Sequence, residues 1–435
     1  MRQLGQMLVV EGLARTGEDG RLQPSLAESL TIDADRGSVL IKLRPNVKFH
    51  DGTPADAPAI AALLPAALKG FLGFAYGDVD HIRATAGDAL EIGFRGSAPL
   101  LTEALEVTLQ KPNGVSTGPF EPVPGSNGEW QANPAYYLGV PALRRVRIES
   151  YPSVRAAWAE LLRDRIDMLW EVAPEALSSL ENTSSISTFA FTRRYQYLLV
   201  LNSDAPSLKA VARRRALTYA IDTTAVVRNA LESHGVPSTG PLWPRHWAVP
   251  ADSPKFVFDP VKATSLLHGE RLKLSCLIPP DAPFERLALE VKRQLGAVGV
   301  DLMPEEVSYD EISERAAKRD YEALLIELIS GPTLVRPYLV WHSNGPFNWG
   351  RFGNATIDAA LEQVRHTSTD DQMRAAVAGI QRAFIDDPAA VFLAWSVRAR
   401  AVSKRFDVQA EEGRDVLSTM RLWRPAGGVS QASRN

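Results

Sequence analysis

The chain has 435 residues, which is too many for one ordinary hydrophobic core, so we expect two or more lobes. Its 48 Lys and Arg residues against 51 Asp and Glu residues give a formal net charge of −3. Because nucleic-acid binders usually have a basic excess, this charge disfavours nucleic acid as a partner. The hydrophobic content of 45% is that of a soluble globular protein, and no apolar run reaches the ~20 residues that a membrane-spanning helix needs.

The first residues, 1–10, do not have the pattern of a signal peptide. Their apolar stretch is short and is soon followed by Glu11 and Arg15. We therefore expect either that the chain begins inside a mature protein or that it is not exported by the general route.

Two strand-like segments, Ser38–Leu43 and Ala89–Phe94, enclose a stretch that is rich in Pro and Ala. The sequence predicts a helix over 54–68, with Asp56 as its N-cap and with Pro65 kinking or ending it.

Three later segments place apolar residues on one face of a helix, and such faces usually pack into a core. They are 154–166, 284–298 and 373–384. The single cysteine, Cys276, lies in an apolar, strand-like run, which indicates a small buried residue rather than a reactive thiol. Because strands and helices alternate irregularly without a linker, we expect two α/β lobes joined by crossing strands, with a disordered tail over 425–435.

Sequence motifs of catalysis and cofactor binding are missing. Neither glycine-rich nucleotide loop occurs, nor does the G-x-S-x-G nucleophile elbow. The seven histidines form no H-x-x-x-H or H-E-x-x-H pair. His50 and Asp51 resemble the metal-binding dipeptide of some phosphohydrolases, but a turn closed by Gly52 and Pro54 is the better interpretation. The sequence thus predicts no enzyme, no cofactor and no metal site.

Segment 341–350 is the most informative candidate for a binding site. It holds Trp341, Asn348 and Trp349 in a Gly/Pro loop, with one Phe and a second Asn. An apolar wall with a few amide groups suits a small-molecule cleft. A loop whose Trp side chains cap a core explains the same residues, and spacing alone leaves both interpretations open.

Several segments, in the same order, resemble extracytoplasmic solute-binding protein family 5, which serves peptide and nickel importers. Segment 43–54, L-R-P-N-V-K-F-H-D-G-T-P, is close to the family signature L-R-x-G-V-x-F-H-D-G-x-P. Further family motifs are matched by segments 24–29, 116–120, 133–137, 165–167, 214–222 and 348–358. The resemblance spans residues 8–410, and its order and spacing make it specific.

The fold implied by the resemblance is α/β and bilobal, of the periplasmic-binding-protein type (class II), with a small extra subdomain in the first lobe. We expect the first lobe to comprise 1–30, 110–200 and 402–424, the extra subdomain 31–109, and the second lobe 201–401. Crossing segments are expected near 195–202 and 398–406. Two lobes on such hinge strands close over a solute without covalent change.

The function implied by the resemblance is that of the solute-binding component of an ABC importer. Such a protein captures a small solute (peptide-like, sugar or organic acid) and delivers it to a permease in the membrane. A monomer in the periplasm or another extracytoplasmic space is implied. The alternative is a ligand-sensing protein that uses the same fold without transport, although no helix-turn-helix is visible before residue 20.

Aromatic and amide side chains are expected to face the cleft, with one arginine. The expected ligand-binding residues are Trp349, Asn348, Trp341, Tyr197, Trp170 and Arg351. Cationic groups such as Arg351, and Arg336 nearby, favour a carboxylate or phosphate on the solute unless both are solvated surface residues.

Three departures from the family pattern qualify the resemblance. The strand expected before residues 5–7, a signal peptide and a lipidation cysteine are absent from the sequence. The region 68–88 is short, which predicts a trimmed subdomain. Segment 329–332 reads Ile-Ser-Gly-Pro, where peptide binders of the family carry an aspartate for the α-amino group of the peptide. We therefore expect a neutral or anionic solute.

Overall fold

The computed structural model describes residues 2–33, 36–95, 99–172, 183–348 and 353–428. Helices and strands are mixed throughout these ranges. The helices are α1 Arg2–Val9, α2 Ala57–Leu72, α3 Pro99–Thr102, α4 Val154–Leu162, α5 Val211–Tyr219, α6 Thr223–Ala230, α7 Pro260–Leu266, α8 Ala282–Ala297, α9 Tyr309–Lys318, α10 Val335–Trp341, α11 Ala355–Arg365 and α12 Asp370–Asp386. The strands are β1 Glu11–Gly12, β2 Ala14–Thr16, β3 Leu22–Pro24, β4 Ala27–Asp33, β5 Ser38–Leu43, β6 Val79–Thr85, β7 Ala89–Phe94, β8 Thr108–Leu109, β9 Phe120–Pro122, β10 Glu129–Ala132, β11 Arg145–Arg147, β12 Met168–Leu169, β13 Ile186–Leu201, β14 Gly235–Pro237, β15 Leu272–Ile278, β16 Val300–Glu306, β17 Ala323–Ile329, β18 Ala390–Ser403, β19 Phe406–Asp407 and β20 Arg424–Pro425.

Two long antiparallel strands, β13 and β18, connect two lobes. Towards its start, β13 pairs with the end of β18, which also pairs with the short strand β12 of the first lobe. The second half of β13 pairs with β17, and from there the sheet continues through β15 to β16 in the second lobe. Strands β13 and β18 overlap the crossing segments predicted near 195–202 and 398–406, whose bounds stay predictions, and the fold is the bilobal α/β fold that we expected.

Alternating side chains of β13 bury both faces of the second-lobe sheet. Leu198 and Val200 lie in a core on one face, with helices α10, α11 and α12, whereas Leu199 and Leu201 lie in a core on the other face, with α5, α6 and α8. Because each fully buried leucine contributes about 1.5–3 kcal/mol to stability, this alternation fixes the register of the strand.

The extra subdomain consists of the four-stranded sheet β4-β5-β7-β6 covered by α2. Both flanking strands and the N-cap of α2 are confirmed, since Oδ1 of Asp56 accepts from the backbone of Ala59 at 3.0 Å. The helix does not end at Pro65 but continues to Leu72. The packing of Leu64 and Leu68 into the core offsets the backbone hydrogen bond that Pro65 cannot make.

Helix α2 and the 3-10 turn that follows it, Gly73–Asp78, form a continuous apolar stretch of 22 residues. By length and composition this stretch could cross a membrane, contrary to the expectation from the sequence, although core helices of soluble proteins meet the same criterion. One of its faces packs against the subdomain core through residues that include Ile60 and Leu64.

The extra subdomain also contacts helices of the second lobe. Asp78 forms an ion pair with Arg365 of α11, and the rings of Phe74 and Tyr338 stack with centroids 5.8 Å apart. The hydrophobic core is therefore continuous from the subdomain to α10 and α11, while the boundaries proposed for the three units stay predictions.

A hairpin formed by β2 and β3 reaches the second lobe through its turn. Nε1 of Trp243 donates to the backbone oxygen of Glu18 at 2.7 Å, and the backbone nitrogen of Trp247 donates to the oxygen of Asp19 at 2.9 Å. Gly20 has φ +81°, and a Cβ there would lie 2.2 Å from the ring of His246. This turn therefore requires glycine for the contact between the lobes.

The remaining sequence-based expectations have mixed outcomes. Helix α4 ends at Leu162 and is shorter than the predicted 154–166, whereas the two other amphipathic segments form α8 and α12. Cys276 is fully buried in β15, as predicted. The prediction of a disordered tail over 425–435 is wrong for its first residues, because Pro425 ends β20 and Ala426–Gly428 form a short 3-10 turn. The rest of the tail, from residue 429, lies outside the described residues.

Candidate functional site

A cavity of about 390 Å³ lies beside the crossing strand β13. Its volume is in the range of small-molecule sites. Its wall combines apolar and cationic side chains from α1, the β2–β3 hairpin, β13 and the 3-10 turn Val416–Leu422. The lining includes Glu11, Arg15, Thr16, Glu106, Tyr136, Arg194, Arg414, Ser418 and Arg421.

Arg194 enters this site because β13 is irregular at that point. The register between β13 and β18 shifts between Thr192 and Gln196, so that 193–195 lie opposite Ser396 alone. Neighbouring side chains of a strand point to opposite faces. Arg193 accordingly pairs with Glu327 at 3.0 Å on one face, and Arg194 reaches Glu106 on the other.

Glu106 is shared by two guanidinium groups. Its Oε2 lies 3.3 Å from Nη1 of Arg194 and accepts from the hydroxyl of Thr16 at 2.6 Å, and its Oε1 accepts from Nη2 of Arg336 at 3.1 Å. The side chains of Glu106 and Arg336 are only 11% and 19% exposed. Burial lowers the pKa of Arg194, and the nearby cations Arg414 and Arg336 lower it further.

Glu411 is likewise shared by two guanidinium groups. Its Oε2 accepts from Nη1 of Arg414 at 2.6 Å, and its Oε1 lies 3.6 Å from Nη1 of Arg15. Arg421, also on the cavity wall, makes no hydrogen bond or close ion pair within the described ranges, although its charge acts on Glu11. The wall therefore carries more guanidinium groups than the carboxylates beside them neutralise.

A buried carboxyl, Glu11, lies at the inner end of the cavity wall. The hydroxyls of Tyr136 and Tyr137 donate to its Oε1 at 2.7 and 3.2 Å, and Thr117 donates to Oε2 at 3.3 Å. Burial raises the pKa of Glu11 to about 7, although these hydrogen bonds oppose the shift. Burial therefore favours the neutral form of Glu11, and its charge compensates the arginines only in part.

A second buried carboxyl, Glu103, lies behind Glu106. Its Oε2 accepts from the backbone nitrogen of Val335 at 2.8 Å, and burial raises its pKa to about 8. This hydrogen bond joins the extra subdomain to the start of α10 in the second lobe.

Trp341, an expected cleft residue, is packed in a core. It is 3% exposed, and its ring makes edge contacts with Phe384 and Phe392 at 5.4 and 5.6 Å. This packing matches the alternative interpretation, in which a Trp of the loop caps a core. In this conformation Trp341 presents no ring face to the cavity, and its role in binding stays a prediction.

Tyr197 and Trp170 also lie away from the cavity. Tyr197 is 1% exposed, packs edge-on against Phe284 on the opposite face of the sheet from Trp341, and accepts from Arg398 through its hydroxyl. The ring of Trp170 lies 3.8 Å below the guanidinium of Arg400. The structure does not bring these aromatic residues together, because the alternation of β13 directs Tyr197 into the core.

The other expected residues have different outcomes. The side-chain nitrogen of Asn348 donates to the oxygen of His342 at 3.2 Å, within its own loop. Trp349 and Arg351 lie outside the described residues, so their roles stay predictions. Arg336 is a half-buried partner of Glu106 rather than a solvated surface residue.

Sequence reasoning missed the arginine-lined cavity itself. Arg194 directly precedes the predicted crossing segment 195–202, where a charge beside an apolar strand was an available signal. Arg414, Glu411 and Arg421 lie in irregular structure after β18, and no periodic pattern marks them. The motif N-P-A-Y-Y at 133–137 supplied Tyr136 and Tyr137, but their shared partner Glu11 is more than 120 positions away.

Metal binding has no support in the parts of the chain that the structure describes. In these parts, no group of three His, Cys, Asp or Glu side chains is arranged to hold an ion. His50 and Asp51 lie in a turn, where Asp51 accepts from the backbone of Thr53 at 3.1 Å and pairs with Lys111.

Comparison with known proteins places the chain in a family. The family of bacterial extracellular solute-binding proteins, family 5 Middle, matches residues 21–350. The probable D,D-dipeptide-binding periplasmic protein DdpA of Escherichia coli (strain K12) is 24% identical over 409 residues, which cover 86% of this chain and 79% of DdpA.

Two solved structures have the same fold. NikZ from Campylobacter jejuni, in complex with Ni(L-His), has a TM-score of 0.83 at 22% identity and covers 96% of this chain and 94% of its own. The ABC transporter substrate-binding protein CtaP from Listeria monocytogenes has a TM-score of 0.85 at 20% identity, with 97% and 94% covered. Since the family match spans most of the chain and the fold agrees with it, the protein belongs to family 5 of the bacterial extracellular solute-binding proteins.

Proposed function

We propose that this solute-binding protein captures its solute in the cavity beside β13 and delivers it to the permease of an ABC importer. The observation that carries this proposal is the position of the cavity. Its wall contains Arg194 of the crossing strand, and Arg194 contacts both the β2–β3 hairpin and Glu106. A solute bound there contacts the strand on which the lobes move.

Lobe closure is the step that couples binding to delivery. The hairpin turn at Glu18 and Asp19 contacts Trp243 and Trp247 of the second lobe, and Glu106 contacts Arg336. Thr16 of the hairpin and Glu106 line the cavity, so a solute that strengthens these contacts stabilises the closed state. A permease that recognises the closed state then receives only loaded protein.

The proposal includes no chemical change of the solute. Solute capture needs only the cavity and the closing lobes, in keeping with the family of solute-binding proteins to which the chain belongs. We propose further that the protein acts as a monomer outside the cytoplasm, in keeping with its family, and that nucleic acid is not its partner, because its net charge is −3.

Blocking the cavity tests the location of the site. Mass spectrometry of the small molecules released from the denatured purified protein identifies the solute, and calorimetry then measures its affinity. Ser418 is an exposed residue of the cavity wall. Ser418→Trp should weaken binding roughly tenfold or more, since a large side chain there occupies solute space.

The matched control is Ser265→Trp, at an exposed position of α7 away from the cavity wall. It should leave affinity unchanged. Equal affinity in wild type and in Ser418→Trp would show that the solute binds elsewhere.

A further inference from the structure

We infer that the solute carries a carboxylate or phosphate group, and that an arginine cluster holds this group. The arginine cluster consists of Arg15, Arg194 and Arg414 on the cavity wall and of Arg336, which shares Glu106 with Arg194. This inference rests on the proposed function, because it assigns a ligand class to the same cavity. Three features of the cavity support it: the balance of its charges, their burial, and the lack of carboxylate partners for a cationic solute.

The charges of the cluster do not balance. Glu106 is shared between Arg194 and Arg336, and Glu411 is shared between Arg15 and Arg414. Glu18, which pairs with Arg245, also acts on Arg194 and Arg414. With this pair included, five guanidinium groups have three carboxylates, which leaves an excess of two positive charges. Arg421, on the same wall, adds a further cation without a close ion pair in the described ranges.

Burial makes this excess costly when no anion is present. The side chain of Arg414 is only 12% exposed and that of Arg336 only 19%. A charge that is removed from water and lacks a partner destabilises the protein, and arginine forms strong paired hydrogen bonds to carboxylate and phosphate oxygens. The whole chain has a net charge of −3, so the positive excess is a local feature of the cavity.

A cationic solute finds little compensation in the same place. Glu327, which could hold an ammonium group, is paired with Arg193 on the other face of β13. Ser330 and Gly331 carry no charge, and their backbone nitrogens donate to the oxygen of Arg194 at 2.9 and 3.3 Å. The end of β17 is therefore bonded to the backbone of β13, and Ser330 and Gly331 offer no carboxylate to an ammonium group.

Thermal unfolding of the full-length purified protein tests the inference with simple probes. Citrate supplies carboxylates and inorganic phosphate supplies phosphate, each compared with sodium chloride at equal ionic strength. At least one anion should raise the midpoint of unfolding by roughly 2 °C or more over the chloride control. The dipeptide Ala-Ala amide, which is a cation, should give no shift. Comparison of the shifts with citrate and with phosphate shows whether the cluster prefers carboxylate or phosphate oxygens.

Arginine variants connect the shift to the cluster. Arg414→Gln and Arg421→Gln should each reduce the anion-induced shift by at least half, whereas Arg155→Gln, on the exposed surface of α4, should preserve it. Arg421 lacks a close ion pair in the described ranges, so its replacement has little effect on folding. The inference is overturned if citrate and phosphate raise the midpoint of unfolding no more than chloride does. It is also overturned if the anion-induced shift persists in both cavity variants, or if the dipeptide amide gives a larger shift than the anions.

The solute recovered by mass spectrometry separates this inference from the proposed function. A recovered solute without carboxylate or phosphate, whose binding is weakened by Ser418→Trp, overturns the ligand class but keeps the cavity as the site. If Ser418→Trp leaves binding of the recovered solute unchanged, the cavity is not the binding site. The ligand class assigned to the cavity is then rejected as well.

Discussion

Arg336 of α10 donates from its Nη2 to Oε1 of Glu106 at 3.1 Å, and so joins the second lobe to the segment that leads out of the extra subdomain. The second oxygen of Glu106 contacts Arg194 on the crossing strand. One carboxylate therefore links three parts of the chain at the wall of the cavity. The integrity of the site depends on it.

Replacement of Glu106 should destabilise the protein. Glu106→Gln leaves Arg194 and Arg336 without their shared anion in a half-buried place, and we expect a loss of about 2 kcal/mol in the free energy of unfolding. The control, Glu28→Gln, removes the partner of Lys42 at an exposed ion pair and should leave the free energy of unfolding nearly unchanged. Urea denaturation measures both values, and equal losses would contradict the linking role of Glu106.

Buried Glu103 should make stability fall as the pH rises. Its pKa is about 8 in the folded protein, against 4.5 as the ordinary value. Between these values the folded state keeps a proton that the unfolded state has lost, so the contribution is present below pH 4.5 and is lost as the pH rises through 8. Glu11, with a pKa of about 7, acts in the same direction.

The variant Glu103→Gln isolates this effect. A neutral amide can still accept from the backbone of Val335, so the variant should be more stable than wild type at pH 9 and should lose less stability between pH 5 and 9. Glu314→Gln, at an exposed side chain whose pKa Lys318 lowers, should follow the wild-type curve. Parallel curves for Glu103→Gln and wild type would show that Glu103 does not titrate in this range.

The hairpin contact between the lobes can be tested with two glycines. Gly20 and Gly52 have nearly the same φ, +81° and +80°, but a Cβ at Gly52 meets nothing within 4 Å. Both alanine variants carry the backbone strain of about 1 kcal/mol. Gly20→Ala should cost more and weaken solute binding, because it forces the turn away from His246. A Gly20→Ala variant that behaves like Gly52→Ala in denaturation and calorimetry would remove the hairpin from the closure mechanism.

The aromatic segment 341–350 is tested by a pair of substitutions. If Trp349 lines the cleft, Trp349→Ala should weaken solute binding about ten- to hundredfold, since one buried aromatic face contributes about 1–3 kcal/mol. Trp341→Leu should mainly lower stability, because Trp341 packs against Phe384 and Phe392. Unchanged affinity in a folded Trp349→Ala protein would place Trp349 in the core.

Much of the fold followed from local patterns. Strands β5 and β7 have alternating or continuous apolar residues bounded by turns, and the family signature at 43–54 set the order of the remaining elements. Helix α2 is longer than the sequence predicted, because the effect of Pro65 on a helix depends on how the helix is packed. The core around Leu64 and Leu68 determined its length instead.

The candidate site was harder to predict, because it depends on contacts between distant residues. Arg194 and Glu106 are 88 positions apart, and Tyr136 and Glu11 are 125 apart. Spacing along the chain contains no information on such pairs. The aromatic residues were more conspicuous in the sequence, but Trp341 and Tyr197 are buried on opposite faces of one sheet.

Small-angle X-ray scattering, with and without the solute identified by mass spectrometry, tests the central claim most directly. If two lobes on β13 and β18 close over a solute in the cavity, the radius of gyration should decrease on saturation with that solute. Ser418→Trp, at the same solute concentration, should remain at the radius of the free protein. An unchanged radius in the saturated wild-type protein would contradict capture by lobe closure.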